Sequence, residues 1–262
     1  MKSRTMLWIV LCLSLPAALS AGTVITMKEQ TAQGSSNNKL YLDGGRLRLE
    51  SAAGGRNHVI LYHAANGGIQ VLDPLKKTWF ELPAGGDQQA AATKAVMARK
   101  DLSEARKKQV LDNMKANAER HGLFGGQPVP AHYRKVAAEV KVNGFVTDEY
   151  EVTRNGAKVR EVWLVSPKSL EIDHTDVVAL QSLAERLGAQ PASPGPPGLV
   201  LETGAPEGVP VRIVTWDNGK PQATTDVTAV SHEAAAAPLF DVPKDYKPAS
   251  PGAPGAPAPP GH

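Results

Sequence analysis

From residue 23 to residue 82 apolar and polar positions alternate with a period of two. That spacing places every second side chain on one face of a strand. Residues 23–29 form the first run. Residues 39–43 and 46–50 follow, separated by Gly44-Gly45. A glycine pair between alternating runs predicts a hairpin, because a two-residue turn requires positive φ. Leu40 and Leu42 share a face, as do Leu47 and Leu49, while Arg46 and Arg48 point away from it. Residues 58–63 and 69–72 pair around Asn66-Gly67-Gly68, and 78–82 follows a turn at 73–77.

The period changes after residue 87. Residues 87–121 lack alternation and are rich in Ala, Lys, Arg and Glu. Leu111, Met114 and Ala118 make a narrow stripe at helical spacing, with Val110 beside it. The spacing predicts a helix over 102–121, opened by Asp101-Leu102-Ser103-Glu104 as a capping box and closed by Gly122. Glu104 and Lys108 are placed to pair at i,i+4. A shorter helix is expected within 88–100. Alternation returns in 133–142, 145–154 and 157–165, with Asn143-Gly144 and Asn155-Gly156 between them. Asn-Gly between alternating runs predicts a three-stranded antiparallel meander. A helix opening at Asp173 or Thr175 carries Val177, Leu180, Leu183, Ala184 and Leu187 and ends at Gly188. After a Pro/Gly/Ser connection at 191–198, residues 209–217 and 222–233 form a last hairpin around Asn218-Gly219.

Nearly every strand-to-strand link is a short hairpin, so the sheet is expected to be antiparallel, with helices grouped on one face: the α+β class. Residues 22–247 are expected to form one domain carrying a helical insert at 88–126. Residues 248–262 are Pro, Gly and Ala apart from Ser250 and His262, cannot bury apolar surface, and are expected to be disordered.

The first 21 residues add a location. Lys2 and Arg4 precede an apolar stretch at 6–15, and Pro16-Ala17-Ala18-Leu19-Ser20-Ala21 supplies small residues. This is the layout of a secretory signal peptide, cleaved near Ser20 or Ala21, and it implies a periplasmic protein. The apolar stretch is shorter than the roughly 20 residues of a membrane span, and the mature chain is expected to have no transmembrane segment. Cleavage removes Cys12, the only cysteine, so disulfides, thiolate nucleophiles and cysteine-bound metals are excluded from the mature chain. The formal net charge is +3, of which Lys2 and Arg4 carry two, leaving about +1. A nucleic-acid partner gains no support from that balance. Aromatic residues make up 5% of the chain, so the core is expected to be aliphatic.

The order of these elements resembles the LolA-like half-barrel of periplasmic lipoprotein carriers, and an uncharacterised family of secreted bacterial proteins grouped with that fold. The residues that carry the resemblance are Leu42-Asp43-Gly44-Gly45-Arg46-Leu47-Arg48-Leu49-Glu50, Val71-Leu72-Asp73-Pro74-Leu75-Lys76-Lys77-Thr78, Asn143-Gly144-Phe145 with Val162-Trp163-Leu164, and Gly208-Val209-Pro210-Val211-Arg212. Leu239-Phe240-Asp241-Val242-Pro243-Lys244-Asp245-Tyr246-Lys247 completes the set. The resemblance implies a curved antiparallel β half-barrel with helices on its concave face and an apolar cavity for acyl chains. The carriers' working residues have no counterpart motif in this chain, so no catalytic, cofactor-binding, metal or ligand residue is assigned.

Individual candidates point to structure. Asp173-His174-Thr175-Asp176 is the densest acid–histidine cluster, yet Asp173 or Thr175 suits a helix N-cap and Asp176 the positive end of the dipole. His58 and His63 lie five apart on one strand and point to opposite faces. No Gly-x-Ser-x-Gly elbow accompanies Ser103 or Ser166, and Gly125-Gly126-Gln127-Pro128 does not open a helix. Asp148, Glu149 and Glu151 alternate along a strand as its solvated face. The basic residues of the insert, among them Lys94, Arg99, Lys100, Arg106, Lys107, Lys108, Lys115 and Arg120, face Asp101, Glu104, Asp112 and Glu119 and form a solvated amphipathic helix.

The expected function is that of a periplasmic, monomeric, non-enzymatic binding protein without cofactor. It would carry or sense lipid or lipidated protein in an apolar cavity. The alternative is a structural or interaction module of the cell envelope with a packed core. N-terminal sequencing of the protein exported by a bacterial host is expected to start at Ala21 or Gly22; a start at Met1 or Lys2 would refute the signal peptide.

Overall fold

The computed structural model describes residues 22–53, 56–82, 93, 96–97, 99, 102–120, 131–188, 201, 204–233 and 235–249. The strands are β1 (Gly22–Thr31), β2 (Gly34–Asp43), β3 (Arg46–Ala53), β4 (Arg56–His63), β5 (Gly68–Asp73) and β6 (Thr78–Leu82), then β7 (His132–Val142), β8 (Phe145–Arg154) and β9 (Ala157–Val165), then β10 (Val209–Asp217), β11 (Lys220–Glu233) and β12 (Lys247–Pro248). Helix α1 (Glu104–Arg120) lies between β6 and β7, and α2 (His174–Gly188) between β9 and β10.

Among the described residues, these twelve strands join one open sheet in the order β12-β6-β5-β4-β3-β2-β1-β11-β10-β9-β8-β7. Neighbours are antiparallel throughout except for β12, which lies parallel on β6. The expected hairpins are present. Asn143 and Gly144 sit at φ 52° and 88°, and Asn155 and Gly156 at 52° and 75°. Positive φ at both turn positions matches the twist of the flanking strands.

What hairpin signals do not supply is the seam between the two meanders. Along it β1 pairs with β11, from Gly22 opposite Glu233 to Thr31 opposite Ala223. The register there sets one inner face, because side chains on paired residues point the same way. Ile25, Met27, Leu40, Leu42, Leu47, Leu49, Ile60, Tyr62 and Val71 share it, and Ala179 and Leu183 of α2 pack onto them.

The helices do not share that face equally. Helix α2 packs against β3, whereas α1 makes no extensive contact with any strand among the described residues. Among its described side chains α1 exposes most, with Lys107, Val110 and Leu111 half-buried. An apolar stripe this narrow leaves little surface to bury against a sheet. Helix α1 is capped by Ser103, whose Oγ accepts the Arg106 amide at 3.3 Å; Asp101 lies outside the described residues. Glu104 pairs with Lys107 at 2.7 Å instead of Lys108. The shorter helix expected within 88–100 falls largely outside the described residues, as does the tail beyond 249.

The back face carries the largest departure from expectation. Residues 235–249 return across β3–β6 as a strap. Arg48, which points away from the Leu47–Leu49 face as expected, donates from Nη1 to the Leu239 carbonyl at 2.9 Å. The Arg46 guanidinium lies 4.8 Å above the Phe240 ring centre, and His63 Nε2 lies 2.9 Å from the Phe240 carbonyl. Asp245 pairs with Lys77 at 2.8 Å. The Lys247 amide donates to the Lys77 carbonyl at 2.9 Å and the Ala249 amide to the Trp79 carbonyl at 2.7 Å. Beneath the strap Val59, Leu61 and Leu72 form a second core with Trp79, Val242 and Tyr246. Strand β4 is therefore buried on both sides. Pro248, expected in a disordered tail, belongs to β12.

The outer edge at β7 is irregular. Its register with β8 shifts twice, between Lys135 and Ala137 and between Ala137 and Val140. Glu139 within it has φ 56°.

Phe240, within the strap, is fully buried. Phe240→Ala is expected to lower unfolding free energy by about 3–5 kcal/mol. Native-state hydrogen exchange is expected to speed up selectively at the Lys247 and Ala249 amides; unchanged protection there would mean that Phe240 does not hold the strap.

Candidate functional site

Helix α2 is fastened over the inner face at both ends. Asp173 caps it, its Oδ1 accepting the Thr175 amide at 2.8 Å. The bond holds the Asp173 carboxyl below its ordinary range. Asp176, expected only to complement the helix dipole, is buried and accepts the Gly45 amide of the β2–β3 turn at 2.7 Å. Burial pushes its carboxyl above the ordinary aspartate range, the Gly45 hydrogen bond opposes that shift, and the nearby Asp173 and Asp43 charges add to it. At the other end Arg186 Nη1 donates to the Gly67 carbonyl of the β4–β5 turn at 2.7 Å. Gly67 has φ 64°, and a Cβ there would run into the Arg186 guanidinium. The expected cap, acid and two glycine turns thus converge on one device that seats α2.

Beneath α2 the space is filled. Ile25, Met27, Leu42 and Ala179 have no exposure, and Leu40, Leu47, Val71 and Val211 have 1% each. Two clefts open to the side. One, of about 200 Å³, runs between Val177, Leu180 and Ala184 of α2 and Leu201, Ala205, Pro206 and Pro210. It lies below the roughly 300–1,000 Å³ of typical ligand pockets. The other, of about 350 Å³, lies over β8 and β9 beside the 3₁₀ turn Pro167–Leu170. Asp148, Tyr150, Leu164, Ser166, Lys168 and Glu207 line it together with Val165 and Pro167. Asp148 and Tyr150 are in register with Leu164 and Val162, so they share a face. Lys135 of β7 reaches across to Asp148, Nζ to Oδ2 at 2.7 Å, and that hydrogen bond raises the lysine pKa.

Farther along the inner face the apolar pattern gives way to polar residues. Glu29, Asn38, Ser51 and Thr225 are all buried. The pairing runs Met27–Asn38–Ser51–His58 on one row and Thr225–Glu29–Ser36 on the next. Burial raises the Glu29 carboxyl above its usual range, against the neighbouring Asn38 and Ser36. The sequence gives no sign of this patch, because residues 34–38 are polar throughout and lack the alternation that predicts a strand.

The remaining candidates scatter. His58 and His63 occupy opposite faces, as their spacing requires: His58 pairs with Ser51 on the inner face, and His63 meets the strap. Ser103 caps α1 and Ser166 lies at the mouth of the larger cleft. Asp148 separates from Glu149 and Glu151, since it turns to the cleft while Glu151 pairs with Arg134 at 2.8 Å. No group of three or more potential metal ligands occurs among the described residues, and no helix among them is long and apolar enough to cross a membrane. Gly125-Gly126-Gln127-Pro128 lies outside the described residues.

A family model described as a domain of unknown function, DUF4412, matches residues 129–246, the stretch from just before β7 through most of the strap. No curated protein matches the chain. Among solved structures, an uncharacterised conserved protein from Thermus thermophilus aligns over 88% of this chain and 91% of its own, at 11% identity and a TM-score of 0.45. A chain of the Pseudomonas aeruginosa MucA/MucB complex aligns over 87% of this chain and 58% of its own, at 11% identity and a TM-score of 0.39. The crystal structure of MucB gives 87%, 60%, 12% and 0.38. This chain thus spans under two thirds of the length of those two chains. Likenesses this distant add nothing to the strand pairing described above.

Asp176→Ala is expected to cost about 1–3 kcal/mol, the usual loss when a buried amide is left without its acceptor. Asp176→Asn keeps an acceptor and removes the buried charge. An acid whose pKa is higher folded than unfolded binds its proton more tightly when folded. The wild type therefore gains stability relative to Asp176→Asn as pH falls from 7 through the raised value toward 3.8. Urea titrations of both proteins at several pH values check this; a stability difference that is flat with pH would refute the buried charge.

Proposed function

We propose that the protein is a non-catalytic interaction module working outside the cytoplasm, which meets its partner across its surface instead of enclosing a lipid. The observation that carries this reading is the filled space between α2 and the sheet. A carrier of acyl chains needs an apolar void of ligand size. Here Ile25, Met27, Leu40, Leu42 and Leu47 occupy that position at 0–1% exposure. The groove beside α2, about 200 Å³, is too small to substitute for it.

Other features support a binding role over a catalytic one. Ser103 commits its hydroxyl to a helix end. His63 commits Nε2 to a backbone carbonyl. The buried Asp176 engages an amide that fixes the fold. An address outside the cytoplasm is read from the signal-peptide layout of residues 1–21. The open antiparallel sheet with a helix seated on one face agrees with the half-barrel the sequence resembles. In this reading the half-barrel is retained and its cavity is not.

Native mass spectrometry of protein purified from the periplasm without detergent is expected to show the bare polypeptide mass, and fluorescent fatty-acid probes are expected to show no saturable binding. A stoichiometric co-purified lipid, or saturable uptake of a probe, would overturn the packed-core reading in favour of carriage.

A further inference from the structure

Among the described residues, the larger cleft is where charge, an aromatic ring and apolar wall meet in an open concavity of ligand size. At about 350 Å³ it falls at the small end of ligand pockets. Its chemistry is directional. Asp148 and Glu207 bring two carboxylates to the lining and Lys168 one ammonium. The half-buried Tyr150 ring and Pro167 offer apolar surface to an aliphatic stem, over the buried Leu164 and Val165. Lys135 lies in register with Tyr150 on the neighbouring strand. Its ammonium sits 2.7 Å from Asp148 Oδ2. The molecule thus displays its own example of what Asp148 accepts: a primary ammonium on a flexible carbon chain.

We propose that this cleft binds the primary ammonium of a lysine side chain in a peptide partner, with Asp148 as acceptor, the incoming lysine displacing Lys135 from that carboxylate. Displacement is easy because the pair is open to water, Asp148 at 39% and Lys135 at 45% side-chain exposure. Exposed pairs of this kind contribute little, since solvent and side-chain entropy offset the attraction. An incoming lysine lays its methylenes on Tyr150 and Pro167 and keeps its charge at the carboxylates, as long cationic side chains do on apolar surfaces. Glu207 adds a second acceptor, and Lys168 is placed to meet a peptide carbonyl or carboxylate. This assignment deepens the interaction-module reading by naming the partner's chemistry, and rests on it.

The test uses the full mature chain and fluorescence anisotropy with an N-terminally labelled Gly-Ala-Lys amide, beside the same peptide acetylated at Nζ. Saturable binding of the free-lysine peptide and at least tenfold weaker binding of the acetylated one are expected. Asp148→Asn is expected to weaken binding at least tenfold. Lys135→Met, by emptying Asp148, is expected to tighten it several-fold, an effect that damage to the fold would not produce. Equal binding of the acetylated peptide, or a Lys135→Met protein that binds no better than wild type, would overturn the proposal. So would binding to phosphatidylethanolamine vesicles without binding to the peptide, since the ammonium would then come from a lipid headgroup. Loss of peptide binding in a protein that still purifies lipid-free removes this cleft alone and leaves the packed-core module standing.

Discussion

One buried carboxylate organises the inner face. Asp176 sits in the first turn of α2 and accepts the amide of Gly45, in a turn 131 residues earlier. The bond is short and charge-assisted, and it must offset the cost of removing a carboxylate from water. It does so by fixing where α2 begins relative to β2 and β3. Arg186 then fixes where the helix ends by reaching the β4–β5 turn. With both ends placed, Ala179 and Leu183 meet the aliphatic rows of β1–β5. The packed inner face and the narrow groove beside α2 both lie against the helix so placed.

Much of the architecture is visible in the pattern of residues. Asn143-Gly144, Asn155-Gly156 and Asn218-Gly219 mark hairpins because few other pairs tolerate positive φ twice in succession. Strands β6, β8 and β9 occupy the expected positions, since alternation there is uninterrupted and turns bound it. The losses have a common cause: a local pattern does not identify a distant partner. The seam between β1 and β11 joins residues about 200 positions apart. Arg46 and Arg48 alternate as solvent-facing residues should, and the strap residue that Arg48 meets lies 191 positions downstream. The polar start of β2 lacks alternation and carries no strand signal, yet it pairs with β1 over its whole length.

The candidate site is legible only in fragments. Asp173 as a cap can be read from its position before an apolar helical stripe. Asp176 and Asp148 cannot, because one acid beside another says nothing of burial. Asp148, Glu149 and Glu151 look alike in sequence and diverge in the sheet, where the pleat sends Asp148 to the cleft and Glu151 to Arg134. The quoted motifs prove informative in a different way. Leu42–Glu50, Val71–Thr78 and Leu239–Lys247 are far apart in the chain and meet on the back of β3–β6, where Arg46, Arg48 and Lys77 hold the strap. Their shared role is architectural, which is why they carry no signature of a reaction.

The irregular strand β7 bears on life at high concentration. An open sheet ends in unpaired amides and carbonyls, and a long, straight rim invites a second molecule to continue the ladder. Strand β6 is closed by β12 along part of its length. Strand β7 has eleven residues and no such cover among the described residues, but two register shifts and the left-handed backbone at Glu139 break its row of hydrogen-bonding groups. Lys135 and Lys141 add charge to that rim. The two rims of the described sheet thus end by different means, one covered and the other broken in register.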